Sequence, residues 1–204
     1  GRRDSPALDY PRLGAVAAKA LAPENSPLPG HIQITPGGGG GRSNDSAYLG
    51  PQFSGVVLGG GQPPQNTSPP LAAAFDAQRN EFRRKANERF LSRRRTAQTD
   101  LYTHSYEQAL QLMERRDAFD ITKEPAKAQE KYGNHDLGKQ CLLARRLLEQ
   151  GVTFVQISHS NYDTHNENFD FHIEQLGEFD QAYATFIDDL HQRGMLHSTL
   201  VIVM

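Results

Sequence analysis

A short polar segment near the C-terminal end of the sequence carries the residues best suited to chemistry. It runs from Ser158 to Asn168 and places a carboxylate, Asp163, between two imidazoles, His159 and His165. Hard oxygen donors and borderline nitrogen donors together suit a divalent cation such as zinc or manganese. The segment therefore indicates a metal site or a catalytic site.

The spacing within this segment leaves its role open. Asp163 and His165 are two residues apart, so in an extended chain their side chains would point to opposite faces. They could bind one metal if the asparagine-rich loop turns, or one metal each in a two-metal site. In the alternative, Asp163 caps the following helix and the histidines are simply exposed.

The sequence identifies no catalytic nucleophile. Ser158 and Ser160 lack the Gly-x-Ser-x-Gly turn that presents a nucleophilic serine, and nothing supports Thr164. Cys141 lies on the apolar side of a predicted helix, where packing in the core is expected rather than reactivity. The five-glycine run Gly37–Gly41 lacks the Gly-Lys-Ser/Thr ending of a phosphate-binding loop, so we expect no nucleotide cofactor.

Composition excludes several classes of protein. The chain has 204 residues, about one domain, with 22 basic side chains, 24 acidic side chains and a formal charge of −2. This balance argues against a nucleic-acid-binding protein, which normally shows a strong basic excess. A single cysteine excludes an internal disulfide, and no apolar run approaches the roughly 20 residues that a membrane span needs.

The elements around the polar segment would place it at one edge of a sheet. A helix is predicted between Asp136, as its N-cap, and Gly151, followed by a strand at Val152–Ile157, a long helix at Phe169–Arg193 and a strand at Thr199–Val203. Two buried strands joined by a helix are nearly always parallel, with a right-handed connection. We therefore expect an α/β sandwich with a mostly parallel sheet, whose chemistry lies at the carboxyl ends of its strands.

The N-terminal part of the chain is patterned less clearly. Residues 12–21 predict a short helix. Glycine and proline are dense at about 25–70, which predicts a flexible insertion. Within it, the short apolar pieces at 31–34 and 56–58 are interpreted as strands or merely extended chain.

Residues 71–118 predict a helical segment of two helices. The basic run between Arg79 and Arg95 favours a solvated helix on the domain surface over a patch for an anionic partner, because the rest of the chain cancels the charge. Arg145 and Arg146 are likewise expected to be charges on a helix surface.

Two stretches of the sequence resemble a known bacterial family. They are Gly138–Val155, which reads GKQCLLARRLLEQGVTFV, and Tyr162–Phe169, which reads YDTHNENF. Shorter matches, such as Tyr48-Leu49-Gly50, spread the resemblance over essentially the whole chain. The family is the domain of unknown function 1501, which groups with the alkaline phosphatase and sulfatase superfamily.

The resemblance implies a partial alkaline-phosphatase-like α/β/α sandwich and a metal-dependent hydrolase of phosphate or sulfate esters. In related phosphatases an Asp and a nearby His in the loop after this strand bind the catalytic metal. On that analogy Asp163 and His165 are metal-ligand candidates, with His159 beside them. The resemblance further implies a zinc, calcium, magnesium or manganese ion, a small-molecule or polysaccharide ester as substrate, and a periplasmic or cell-surface location.

The two ends of the sequence lead us to expect an internal piece, 1–204, of one such domain. The sequence begins at Gly1 and ends within a predicted strand. The active site would then be incomplete, and the isolated piece inactive and poorly soluble, because a cut sheet exposes an edge. The alternative is a non-catalytic exported protein that binds a partner protein or polysaccharide through the Gly/Pro-rich insertion and the basic helix.

Overall fold

The structure, a computed structural model, describes residues 10–24, 26–36, 45–59, 71–93, 97–160 and 162–204. Over 97–102 it describes the backbone alone. Predictions that concern the glycine run Gly37–Gly41 lie outside the described residues.

The described residues form helices and strands that match the main elements predicted for the C-terminal part of the sequence. In chain order these elements are α1 (Leu13–Leu21), β1 (His31–Thr35), β2 (Val56–Gly59), α2 (Ala73–Leu91), α3 (Ala97–Glu114), α4 (Ala126–Tyr132), α5 (Asp136–Glu149), β3 (Phe154–Ile157) and α6 (Asn168–Gln192). The elements α5, β3 and α6 each begin within two residues of the predicted position.

The three strands form one parallel sheet in the order β2-β1-β3. In this register Ile32 of β1 is level with Val56 of β2 and with Val155 of β3. The predicted α/β fold with a parallel sheet is therefore confirmed. The central strand and β2 both come from the Gly/Pro-rich segment at about 25–70, so this segment is part of the sheet.

One face of the sheet packs against α5, and α6 packs against α5. Ile32 and Ile34 of β1 are buried in a core that also contains leucines of α5 and the apolar side of α6. The helix α5 is capped by His135, whose Nδ1 accepts a hydrogen bond from the Gly138 N–H at 3.2 Å. The predicted cap, Asp136, is instead the first helical residue, where its charge favours the positive end of the helix dipole.

The other face of the sheet is covered by α1, which contacts both β1 and β3. Alternation along β1 turns His31 and Gln33 to the side opposite the isoleucines. A Cβ atom on Gly14 would lie 2.3 Å from Nε2 of His31, so only glycine allows α1 to approach the strand this closely. The sheet therefore lies between two helical layers.

The helices α2 and α3 contact each other and form a helical pair at the surface. Glu107 of α3 pairs with Arg83 at 2.6 Å and with Arg84 at 3.2 Å. Phe75 and Phe82 of α2 are exposed, and basic residues lie near them in the helix. The predicted solvated, basic helix is therefore what the structure shows.

Arg145 does not lie on the helix surface, and the prediction that it does is wrong. Its side chain is 1% exposed, and it forms ion pairs with Glu124 at 2.5 Å, Glu149 at 2.7 Å and Asp189 at 3.1 Å. Arg146, half-buried beside it, also pairs with Glu124. A charged group can be buried in this way because carboxylates compensate it from several sides.

The strand predicted at Thr199–Val203 does not form. A 3₁₀ turn spans Leu196–Ser198, and the residues after it have no strand pairing within the described part of the chain. Val201 packs partly against the core, whereas Leu200 is exposed. Apolar β-branched residues favour an extended chain, but a strand also needs a hydrogen-bonded neighbour. The described sheet therefore ends at β3.

Candidate functional site

The polar segment lies at the carboxyl edge of the parallel sheet. Its first residue, Ser158, donates its N–H to the carbonyl of Ile34 at 3.0 Å, which continues the pairing of β3 with β1. The chain then leaves the sheet and enters α6 at Asn168. The segment therefore lies at the edge of the sheet where parallel α/β sheets usually have their binding and catalytic residues.

The structure brings Asp163 and His165 together. Nε2 of His165 lies 3.6 Å from Oδ1 of Asp163, so the loop makes the turn that joint binding of one cation would require. The Asp163 side chain is 92% exposed, and the His165 side chain is 84% exposed. An exposed carboxylate and imidazole at this separation can both contact the same ion or water molecule.

The third predicted ligand, His159, lies elsewhere. Its Nδ1 is 2.9 Å from the hydroxyl of Tyr162, and its Nε2 is 3.5 Å from Oε2 of Glu178 on α6. Its ring also meets the Tyr162 ring edge to face, with 5.3 Å between centroids. Both ring nitrogens of His159 therefore have polar neighbours other than Asp163 and His165.

A cavity of about 220 Å³ lies beside His159, between the polar segment and the helices α5 and α6. Its wall includes Ser160 from the segment, Gln140 from α5, and Gln175 and Glu178 from α6. Asp163 and His165 are not among the residues that line it. The exposed pair and this cavity are therefore separate features of the same sheet edge.

Two other polar residues of the segment, Thr164 and Glu167, lie at the start of α6. Thr164 donates its hydroxyl to Oδ1 of Asn168, so it is engaged with the start of α6. Glu167 occupies the N-cap position with a φ of 50°, and its own side chain makes no capping hydrogen bond. Asp163 is therefore not at the N-cap position of α6, whereas His165 is exposed, as the alternative role of the segment predicts.

The described residues were compared with the ligand sets that hold metal ions in proteins. No group of three His, Cys, Asp or Glu side chains in the described part of the chain is arranged to hold a metal ion. Catalytic zinc sites usually have three protein ligands. The Asp163–His165 pair therefore supplies fewer side chains than such a site uses.

A buried polar cluster on the α1 side of the sheet was not predicted. Nδ1 of His31 lies 3.4 Å from Oδ2 of Asp45, and the Asp45 carboxylate accepts hydrogen bonds from Gln33 and from the N–H of Gly55. The only signal in the sequence is the alternation of polar and apolar residues along β1. That pattern ordinarily indicates a solvent-facing side, but here α1 covers it.

Cys141 is buried on α5, as its apolar surroundings in the sequence predict. Burial raises the pKa of its thiol to about 12, which keeps it protonated near neutral pH.

Within the described residues, no helix combines the length and apolar character that crossing a membrane requires. Neither a thiolate nucleophile nor a spanning helix is therefore present in this part of the chain.

Comparisons with known proteins give one match. No curated protein and no solved structure matches the chain significantly. A family model does match, and it covers residues 1–204. Because this match spans the whole sequence, the chain belongs to the family described as "Protein of unknown function (DUF1501)".

Proposed function

We propose that the protein is a metal-dependent hydrolase of phosphate or sulfate esters, related to the sulfatases and alkaline phosphatases. The observation that carries the proposal is the approach of His165 to Asp163 at the carboxyl edge of a parallel sheet, 3.6 Å apart. The resemblance of this loop to the metal-binding loop of the phosphatases supports the same interpretation. On that resemblance the protein would act in the periplasm or at the cell surface.

In this proposal Asp163 and His165 supply two ligands of the metal, and further ligands come from outside the described residues. A carboxylate oxygen and an imidazole nitrogen form a mixed donor set that suits zinc or manganese. Such an ion, when bound, would supply Lewis-acid chemistry toward the ester and would lower the pKa of a water molecule bound to it. The exposure of both side chains leaves room for the ion, the additional ligands and a small-molecule or polysaccharide ester.

Removing either ligand tests the proposal. In the full-length protein we expect Asp163→Ala and His165→Ala each to reduce the amount of metal bound per protein molecule. Inductively coupled plasma mass spectrometry measures that amount. We expect hydrolysis of an aryl phosphate or aryl sulfate to fall more than about 100-fold, since loss of a ligand should exceed the 10–100-fold cost of losing its outer-shell partner. Asp180→Ala and His191→Ala are matched controls, because they remove exposed side chains of the same types from α6.

A non-catalytic binding protein is the second candidate, and the exposed surface of α2 favours it. Phe75, Phe82 and Phe90 are exposed along this helix, next to Arg79 and Arg89. A surface with aromatic and basic side chains suits an anionic protein or polysaccharide. Unchanged metal content and unchanged activity in both Asp163→Ala and His165→Ala would favour this candidate over the hydrolase.

A further inference from the structure

One side of α2 carries exposed aromatic rings together with exposed guanidinium groups. Phe75, Phe82 and Phe90 are 66%, 76% and 51% exposed, and Arg79 and Arg89 are exposed as well. With about 3.6 residues per turn, these five side chains lie within an arc of about 100° around the helix and span about 22 Å along it. We call them the aromatic–arginine stripe.

The acidic residues of α2 lie away from this stripe or are already paired. Glu81 and Glu88 are more than about 120° around the helix from the middle of the stripe. Glu81 pairs with Lys85 at 2.7 Å. Asp76 is buried and pairs with Arg79 at 2.7 Å, so it compensates one of the two arginines of the stripe. The stripe therefore combines aromatic rings with positive charge.

Two guanidinium groups near the C-terminal end of α2 are available to an anion. Arg93 follows two residues after the end of the helix and is exposed, like Arg89. Neither side chain has a carboxylate partner in the described part of the chain. A guanidinium group binds a carboxylate or another oxyanion through two parallel N–H···O hydrogen bonds. These two arginines can therefore bind acidic groups of a partner without breaking an existing ion pair.

The composition of the stripe distinguishes among anionic partners. A helix that lies in a membrane surface keeps its apolar and basic side chains on different faces, whereas here both kinds share one face. Insertion of the rings into a bilayer would bury the arginines with them. The formal charge of −2 argues against a nucleic acid. An acidic polysaccharide offers flat C–H faces to the rings and acidic groups to the arginines, and it repeats both along its length.

We propose that the aromatic–arginine stripe, with Arg93 beside it, binds an acidic polysaccharide. The rings of Phe75, Phe82 and Phe90 contact the faces of successive sugars, and Arg89 and Arg93 bind their acidic groups. This inference goes beyond the proposed hydrolase, because it uses none of the residues of the polar segment. It also narrows the partner of the second candidate, the binding protein, to one class of polymer.

The test compares two acidic polymers, polygalacturonate and dextran sulfate, with neutral dextran of similar length. Binding to the full-length protein is measured by calorimetry in excess EDTA, so that no metal-dependent turnover occurs. We expect at least one acidic polymer to bind at least about ten times more tightly than dextran, because charge-assisted hydrogen bonds to the arginines are absent with dextran. The tighter of the two identifies the acidic group as a carboxylate or a sulfate. Raising the salt concentration should weaken this binding because it screens the charges.

Variants locate the binding. Phe82→Ala and Arg89→Gln should each weaken binding of the acidic polymer about threefold or more, with the melting temperature unchanged because both side chains are exposed. Phe169→Ala, on α6, and Lys127→Gln, on α4, remove an exposed ring and an exposed charge elsewhere and should leave binding unchanged. Equal losses in Arg89→Gln and Lys127→Gln, or no loss in Phe82→Ala, would reveal diffuse charge attraction and overturn the proposal.

Other probes separate the remaining partners. Binding of neutral dextran as tight as that of both acidic polymers would overturn the proposal. Tighter binding of phosphatidylglycerol vesicles, or of a single-stranded thymidine oligonucleotide, than of both acidic polymers would also overturn it. Asp163→Ala should leave polysaccharide binding unchanged. Because binding is measured without metal and without turnover, its failure is distinct from failure of the proposed hydrolase.

Discussion

At the scale of single residues, His31 is an imidazole buried against the sheet. Its ring is 1% exposed, and it lies against Gly14 and edge to face with Phe154, with centroids 5.2 Å apart. Burial lowers the pKa of His31, while the negative charge of Asp45 opposes that effect. The polar groups near its ring nitrogens are Oδ2 of Asp45, 3.4 Å from Nδ1, and the Phe53 backbone, and both oppose the effect of burial on the pKa. The imidazole is therefore neutral in the folded protein at neutral pH.

The lowered pKa of His31 predicts a loss of stability in mild acid. The unfolded chain takes up a proton near pH 6.5, whereas the folded chain does so only at lower pH. The unfolded state thus binds more protons as the pH falls, so the free energy of unfolding decreases from pH 7 to pH 5. The slope approaches about 1.4 kcal/mol per pH unit where only the unfolded state is protonated. Urea unfolding at several pH values measures it.

The control for this prediction is a second histidine. His31→Gln should flatten the dependence between pH 7 and pH 5, and His197→Gln, an exposed position, should not. The pKa values of Glu124 and Asp189 are lowered by their arginine partners, despite burial, so their contributions are lost only at more acidic pH. An identical slope in the wild type and in His31→Gln would show that His31 does not titrate in this way.

At the scale of elements, Arg145 joins α5 to α6 and to the turn that ends at Glu124. Asp189 of α6 pairs with Arg145 and also accepts a hydrogen bond from the Tyr132 hydroxyl at 3.0 Å. Desolvation and the charge of Asp189 raise the pKa of Tyr132 well above its ordinary value, so it stays a donor. One buried guanidinium therefore fixes how three segments meet.

Removing that guanidinium should strongly destabilise the fold. Arg145→Met keeps much of the side-chain volume but leaves Glu124, Glu149 and Asp189 without their shared partner, so we expect a loss of about 3–5 kcal/mol. Arg193→Met is the comparison, since Arg193 pairs with two of the same carboxylates from an exposed position and should cost less than about 1 kcal/mol. Equal losses in thermal unfolding would contradict a special role for the buried arginine.

The sequence predicts individual helices and strands better than it predicts the contacts between them. Helices α5 and α6 follow from local spacing, and glycines with positive φ, Gly151 and Gly194, mark the ends of both. Arg145 looks like a surface charge because the carboxylates that surround it are distant in sequence. The strand at Thr199–Val203 has the right composition, but pairing depends on a neighbour that composition does not specify.

The same limit applies to the candidate site. The polar segment and its position at the carboxyl edge follow from the order of strand, loop and helix. The cavity beside His159 does not, because Gln140 and Gln175 read in the sequence as ordinary polar positions of amphipathic helices. Their burial depends on how α5 and α6 pack together, which is a property of the folded chain.

At the scale of the whole molecule, one part of the described structure has many buried apolar contacts and another part has few. The sheet, α5 and α6 share one continuous apolar core. The helix α2 buries Asp76 but no apolar side chain, and its described contacts with α3 include the pairs of Glu107 with Arg83 and Arg84. Segments with few buried apolar contacts open more readily than the core does. The helical pair should therefore unfold locally while the sheet remains intact.

Hydrogen exchange can separate these two parts. Amides of α5 and β1 should exchange only through global unfolding, whereas amides of α2 should exchange through a smaller opening with little dependence on denaturant. Glu107→Gln weakens the contacts between α2 and α3, so it should accelerate exchange in α2 and leave α5 unchanged. If the substitution accelerated both by the same factor, the helical pair and the sheet would form one cooperative unit. The exposed face of α2 would then be as rigid as the sheet, and not a surface that adapts to a partner.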